Sequence, residues 1–243
     1  MPLPTKKSEI QDNYLKHKFL IYGIPKIGKT TIASRLGGDE GDMMFFTTES
    51  GHDFQEIFKY EVLNKSTGEL HSPTSWSHFL EMVKELTTTN DHSFKGVCID
   101  TVDNLWEWCA EHVMRTNKIK DLADMGYGKG FNLAKKEFSR PINYLSQMGY
   151  GIVFLSHAKE FKREKGPREI TYIDSSLPNS PKKFIHGLVD FIFYFHADSE
   201  GKRWIATKGT DSFNAGDRSG RLDPMIEMDA DILIQQMKGE RSE

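Results

Sequence analysis

The chain has 243 residues, 37% of them hydrophobic and 28% charged, with a formal net charge of −3. That is enough for one large α/β domain or two small ones with a self-supporting core, and it predicts a soluble globular protein rather than a fibrous or disordered one. A whole-protein field of this sign does not attract nucleic acid, so any such binding must come from a local basic patch. No apolar run approaches the ~20 residues a membrane span needs. The first residues, Met-Pro-Leu-Pro-Thr-Lys-Lys, lack a signal peptide's apolar core. The two cysteines, Cys98 and Cys109, fall in apolar or helical contexts, which favours buried thiols in a reducing, cytoplasmic compartment over a disulfide.

Residues 1–17 are polar and proline-containing and predict an N-terminal arm. Lys18-Phe-Leu-Ile-Tyr22 is an apolar run with β character, and Thr31 to Leu36 reads as a helix. Between them Gly23, Ile24, Pro25, Lys26, Ile27, Gly28, Lys29, Thr30 and Thr31 spell G-x-x-x-x-G-K-T-T. Strand, glycine loop and helix together are the context that separates a phosphate-binding loop from a chance match. Glycines let backbone N–H groups turn inward around an anion at a helix N-terminus. Lys29 then reaches the β- and γ-phosphates, and the Thr30 hydroxyl can ligate Mg²⁺.

Asp42 to Thr48 is a buried-strand pattern that ends at Glu49. The carboxyl ends of strands in open α/β sheets border the ligand crevice, so Glu49 is a candidate for orienting and deprotonating a water. It reads equally as an acid favoured by a helix dipole. Residues 57–72 predict a short hairpin, and Thr74 to Leu86 an amphipathic helix with Trp76, Phe79, Leu80, Val83 and Leu86 on one face. Lys95-Gly-Val-Cys-Ile-Asp100 has the form of a Walker B strand. Its Asp100 would bind Mg²⁺, directly or through water, from the strand next to the phosphate loop. Asp103 reads as the N-cap of the following helix.

Residues 118–130, with Lys118, Lys120 and Lys129, read as an irregular loop or as a nucleic-acid contact. The helix from Phe131 to Met148 contains Pro141, which predicts a kink or a junction. Tyr150 to His157 is a third buried strand, and Ser156 or His157 could contact a γ-phosphate. The long segment 158–186 carries seven basic side chains, among them Lys159, Lys162, Arg163, Lys165 and Arg168, against four acidic ones, with Phe161, Tyr172 and Phe184 interleaved. A basic loop with aromatics suits single-stranded nucleic acid. The bland alternative is a solvated excursion with a small hairpin around Ile170 to Ile173. Leu188 to Phe195 and Lys202 to Lys208 predict a hairpin and hence a mixed sheet. Lys208, and Arg218 and Arg221 in the glycine-rich loop after it, could reach a phosphate here or in a neighbouring subunit. Asp229 to Met237 predicts a closing helix and residues 238–243 a frayed end.

These stretches stand in the order found in RecA-like recombinases. The chain resembles the ATPase core of that family, and more closely its phage-encoded nucleotide-binding members that act as single-strand annealing ATPases. The carrying segments are Ile21 to Thr31, Ile99-Asp-Thr-Val-Asp103, Tyr127-Gly-Lys-Gly130, Phe154-Leu-Ser-His157, Thr207-Lys208 and Ala215 to Leu222. The resemblance implies an α/β RecA-like P-loop core over residues 18–237, mostly parallel, with an antiparallel C-terminal hairpin. It implies ATP and Mg²⁺ as ligands, Glu49 as catalytic glutamate and Asp100 as the metal-site carboxylate. His157 takes the place of a polar γ-phosphate sensor that is commonly Gln, and Lys208 lies near residues that reach across a subunit interface. It implies DNA contacts in 118–130 and 158–186, a homo-oligomeric ring or filament, and single-stranded DNA and a single-strand binding protein as partners. The sequence departs from full recombinases in showing no counterpart of their large terminal domain, and the expectation is therefore annealing or single-strand binding rather than strand invasion. A nucleotide-gated module with negligible hydrolysis and a small-molecule phosphotransferase are the alternatives.

Overall fold

The computed structural model describes residues 13–37, 42–50, 52, 54–89, 91–165 and 168–239. Most of the expected arm and all but the first two residues of the expected frayed end lie outside them. The apolar run after His17 forms β1 (Lys18–Gly23), buried from Phe19 onward. The glycine loop breaks the strand, and α1 (Lys29–Leu36) opens at Gly28, whose φ of 117° suits glycine. β2 (Met43–Thr47) is buried throughout. β3 (Phe58–Lys59) adds an edge strand, and β4 (Val62–Leu63) pairs with β5 (Leu70–His71) as the predicted short hairpin. α2 (Trp76–Thr88) starts at Ser75, whose hydroxyl accepts from the His78 N–H.

β6 (Gly96–Asp100) leads into α3 (Val102–Asn117), and α4 (Lys129–Gln147) packs antiparallel on it. Trp106 meets Phe138 at 5.3 Å, and Cys109 Sγ lies 3.7 Å from the Ala134 carbonyl. Pro141 lies inside α4 and marks no junction. The 118–128 connection is ordered by a short 3-10 turn, Leu122–Met125, closed by a capping box of Asp121 and Asp124. β7 (Gly151–Lys165), β8 (Arg168–Ser175), α5 (Asn179–Leu188), β9 (Phe191–Ala197), β10 (Arg203–Ala206), β11 (Gly216–Asp217), β12 (Met225–Glu227) and α6 (Ala230–Lys238) complete the chain.

The main sheet has the order β12-β10-β9-β1-β7-β6-β2-β3. From β9 to β3 every neighbour is parallel, while β10 and β11 run antiparallel to β9, and β12 antiparallel to β10. The sheet is therefore mixed, as expected. One expectation fails: β6 does not lie next to β1. The α3–α4 excursion brings β7 back between them, and its segment Ile152–Leu155, apolar on both faces and at most 1% exposed, fits that central place.

Side chains alternate between two cores. Leu20, Ile99, Ile152 and Phe154 face α2 to α5, whereas Phe19, Ile21, Cys98 and Val153 face α1 and α6. Both cysteines are buried and free, as expected.

The segment 158–186 is not a loop. β7 runs on past the sheet and pairs with β8 from Ala158 opposite Ser175 to Lys165 opposite Arg168, and α5 follows. Phe161 faces Tyr172 across the pair, and Lys162 holds Glu169 at 2.6 Å. Charges on both faces mask the period-2 pattern that would otherwise announce a strand.

At the opposite end of the sheet from the glycine loop, Asp190 accepts from the Lys18 N–H at 3.1 Å and from Arg218 Nη1 at 3.0 Å, with His17 Nδ1 at 3.4 Å. Burial alone would raise its carboxyl, but the His17, Lys18 and Arg218 interactions prevail and hold it below the usual carboxylate range. Its stabilising contribution is thus present above the unfolded-state value near pH ~3.9 and is lost as pH falls through the lower folded value. Asp190→Asn is expected to flatten the loss of stability in acid, measured as urea midpoints between pH ~2 and 5. Phe138, fully buried against Trp76, Trp106 and Phe184, is the packing centre of the helical side. Phe138→Ala is expected to cost about 3–5 kcal/mol in urea unfolding at neutral pH.

Candidate nucleotide site

The site forms where β1, β2, β6 and β7 end on one edge of the sheet. Gly23 ends β1 so close to β9 that a Cβ there would lie 2.5 Å from the Phe195 carbonyl oxygen. Only glycine lets β1 pass the β9 backbone at that distance. Ile27 anchors the loop in the α1-side core, while Ile24, Pro25 and Lys26 are exposed, Lys26 with a φ of 63°. The loop curls so that Lys29 Nζ donates to the Gly23 and Ile24 carbonyls, each at 3.1 Å. Burial lowers the Lys29 ammonium from its ordinary value, while Asp100, Glu49 and Asp103 oppose that shift. The side chain is thus held at the loop, ready for an anionic partner.

Thr30, in the first turn of α1, donates its hydroxyl to Asp100 Oδ2 at 2.7 Å across the width of β7. Burial raises the Asp100 carboxyl, against the Thr30 hydrogen bond and the nearby His52 and Lys29. A buried carboxylate beside a hydroxyl is a hard, all-oxygen donor pair of the kind that suits Mg²⁺. The fold thus brings Thr30 and Asp100 together, with Asp100 arriving from two strands away.

Glu49 follows β2 and faces the same space. Its Oε1 accepts from the Thr101 hydroxyl at 3.0 Å and the Asn104 amide at 3.3 Å, and lies 3.1 Å from His157 Nε2. Glu49 sits outside any helix of its own, and its carboxylate lies against the first turn of α3. Lys29, Thr30, Thr31, Glu49, Asp100 and His157 line one cavity of about 420 Å³ with Pro25, Lys26 and Gly28.

Asp103 is not the helix cap. Thr101 holds that position, and the Asp103 carboxylate accepts instead from the Ser156 hydroxyl, the His157 N–H and the Ser176 hydroxyl. Two further groups escaped the sequence reading. His52, only 8% exposed, lines the cavity with Nδ1 4.0 Å from Asp100 Oδ2 and with an Nε2 that has no hydrogen-bond partner among the described residues. It follows Glu49 by three residues, within reach of the strand-end rule that selected Glu49. Arg203 donates to the Ile27 carbonyl at 3.4 Å. It begins an antiparallel strand, so a rule that inspects only carboxyl ends passes it over.

The same rule selected Lys208. β10 runs away from the loop, with Arg203 opposite Ala197 and Ala206 opposite Tyr194, so Lys208 is exposed beyond its far end and does not line the cavity. Arg218 is bound to Asp190 at the opposite sheet edge. Neither lines the cavity.

The basic residues separate into two groups. Lys118, Lys120 and Lys129 are exposed at the tip of the α3–α4 pair. α3 alone carries that tip about 24 Å along its axis from Asp100. Lys159 and Lys162 are exposed on the hairpin, and the side chains of Arg163, Lys165 and Arg168 lie outside the described residues. Lys182 is buried, 3.3 Å from Asp174 and 4.2 Å from the Phe161 ring centre, and Phe184 packs on Phe138. Phe161 is therefore covered by a lysine on one side, and Phe184 belongs to the core.

No helix among the described residues is long and apolar enough to cross a membrane. No curated protein matches the chain. Among solved structures, that of the RadB recombinase is similar with a TM-score of 0.46 and 11% identity, over 79% of this chain and 80% of that one. The family described as AAA domain matches residues 15–219, most of the chain, including the phosphate loop, Glu49, Asp100 and His157. The chain belongs to this AAA-domain family of P-loop proteins.

Proposed function

We propose that this protein is a Mg²⁺-dependent, DNA-associated ATPase of RecA-like type that binds single-stranded DNA and promotes annealing or recombination in the cytoplasm. The observation that carries the reading is the convergence of Lys29, Thr30, Asp100, Glu49 and His157 on one cavity of about 420 Å³. Family membership supports nucleotide binding, and a carboxylate opposite the phosphate loop supports hydrolysis. Lys29 offsets charge on the β- and γ-phosphates. Glu49 orients a water and takes its proton as the water oxygen bonds to the γ-phosphorus and the bond to the β-phosphate oxygen breaks. The products are ADP and phosphate. Thr30 and Asp100 are the residues that would hold Mg²⁺, which when bound screens phosphate charge.

Exposed Lys159 and Lys162 on the hairpin, and Lys118, Lys120 and Lys129 on the helical tip, supply cations for a nucleic-acid backbone. Arg163, Lys165 and Arg168 belong to the same basic hairpin in sequence. In this reading Lys208 and Arg218 act on the pocket of a neighbouring subunit in a ring or filament, because neither lines its own.

Lys29→Ala is expected to abolish ATP turnover, and unchanged turnover would sink the reading. Glu49→Gln is expected to bind labelled ATP normally and to hydrolyse it about 10²-fold more slowly or worse. For DNA, Lys159→Glu combined with Lys162→Glu is expected to weaken binding to oligo-dT and to lessen its salt dependence, with the slope of log affinity against log salt falling by about 1–2. Fluorescence anisotropy across a NaCl series measures it, and an unaltered slope would remove the hairpin from the DNA contact.

A further inference from the structure

The first turn of α3 holds both members of the Glu49–His157 contact. Thr101 and Asn104 donate to Glu49 Oε1, while Asp103, between them, binds the other side. Asp103 Oδ2 accepts from the His157 N–H at 3.3 Å, and Oδ1 accepts from the Ser156 hydroxyl at 3.1 Å and from the Ser176 hydroxyl. Ser156 and His157 are where β7 leaves the parallel sheet, and Ser176 is the first residue after β8. The Ser176 N–H closes the ring by donating to the His157 carbonyl at 2.8 Å. One carboxylate therefore grips both legs of the hairpin at its root, three residues from Asp100.

We propose that Asp103 is a positioning residue. It fixes the His157 peptide so that the imidazole meets Glu49, and it thereby makes the root of the β7–β8 hairpin part of the hydrolytic site. A single carboxylate that accepts three hydrogen bonds from both legs of the hairpin is a geometric constraint on where they sit. Asp103 itself does not line the cavity, so its removal takes no direct contact from it. The proposal rests on the ATPase reading for its kinetic arm only.

The test compares wild type with Asp103→Ala, Asp103→Asn and Ser176→Ala. For Asp103→Ala the expected result is nucleotide affinity within about twofold of wild type and a kcat lower by about tenfold or more with KM little changed, the mark of a misplaced group rather than a lost binding contact. Asp103→Asn keeps one acceptor oxygen, and Ser176→Ala removes one donor of three, so both are expected to fall between. Amide hydrogen exchange at His157 and Ser176 is expected to rise in Asp103→Ala while α2 and β2 stay protected. An unchanged kcat overturns the proposal. So does a parallel loss of affinity, kcat and core protection, which is what damage to the fold produces. If the wild type hydrolyses nothing, the ATPase reading fails and exchange alone decides. Nucleotide-dependent protection of His157 and Ser176 in wild type, lost in Asp103→Ala, sustains the positioning role, and identical protection in both ends it.

Discussion

The buried pairing of Thr30 with Asp100 is the contact on which the site depends. A carboxylate at 4% exposure is costly unless it has hydrogen-bond donors or a cation. The protein meets that cost with the Thr30 hydroxyl at 2.7 Å and with Lys29 nearby, and both come from the start of α1. Phosphate loop and acid are thus stabilised by each other. They can meet only because β1, β7 and β6 lie side by side in register, Ile21 beside Leu155 and Leu155 beside Asp100. The apolar run of each strand, buried on both faces, fixes that register, so the chemistry at the edge is set by packing in the middle.

The helical side adds a second layer of constraint. Phe138, Trp76 and Trp106 lock α2, α3 and α4 together, and this fixes where α3 begins. Its first turn then distributes its polar groups in two directions, Thr101 and Asn104 toward Glu49 and Asp103 toward the end of β7. Tyr22 links the phosphate-loop strand to the same region. It stacks on Tyr194 at 5.1 Å, and its hydroxyl donates to the carbonyls of Ile173 and Asn214. Burial raises that phenol far above its ordinary value, so it remains a donor at any physiological pH.

Much of this was legible in the sequence. Continuous apolar runs announced β1, β2, β6 and the first half of β7, and the polar residues ending three of them marked Glu49, Asp100 and His157. What escaped has physical reasons. Strand order is a three-dimensional outcome of the α3–α4 crossover, so no local pattern revealed that β7 separates β1 from β6. The alternative of a small hairpin around Ile170 to Ile173 was right in kind, but its full length was masked because Lys162 and Glu169 satisfy each other across strands and make a paired segment look like a charged loop. Asp103 looked like a cap because acids before helices usually are caps, and only the tertiary fold brings Ser176 to it. Lys208 lies away from the cavity, and Arg203 beside the glycine loop, because strand direction reverses at the β9–β10 turn.

β7 serves two sheets with one backbone. Its first seven residues lie in the parallel core and the rest form one leg of the hairpin. The projecting part, Ala158 to Lys165, is about 26 Å long at strand rise. It behaves as a lever arm whose fulcrum lies at His157. By that geometry, a tilt of about 2° at the fulcrum carries the tip by about 1 Å. One continuous run of backbone thus joins the projecting hairpin to the His157–Glu49 contact.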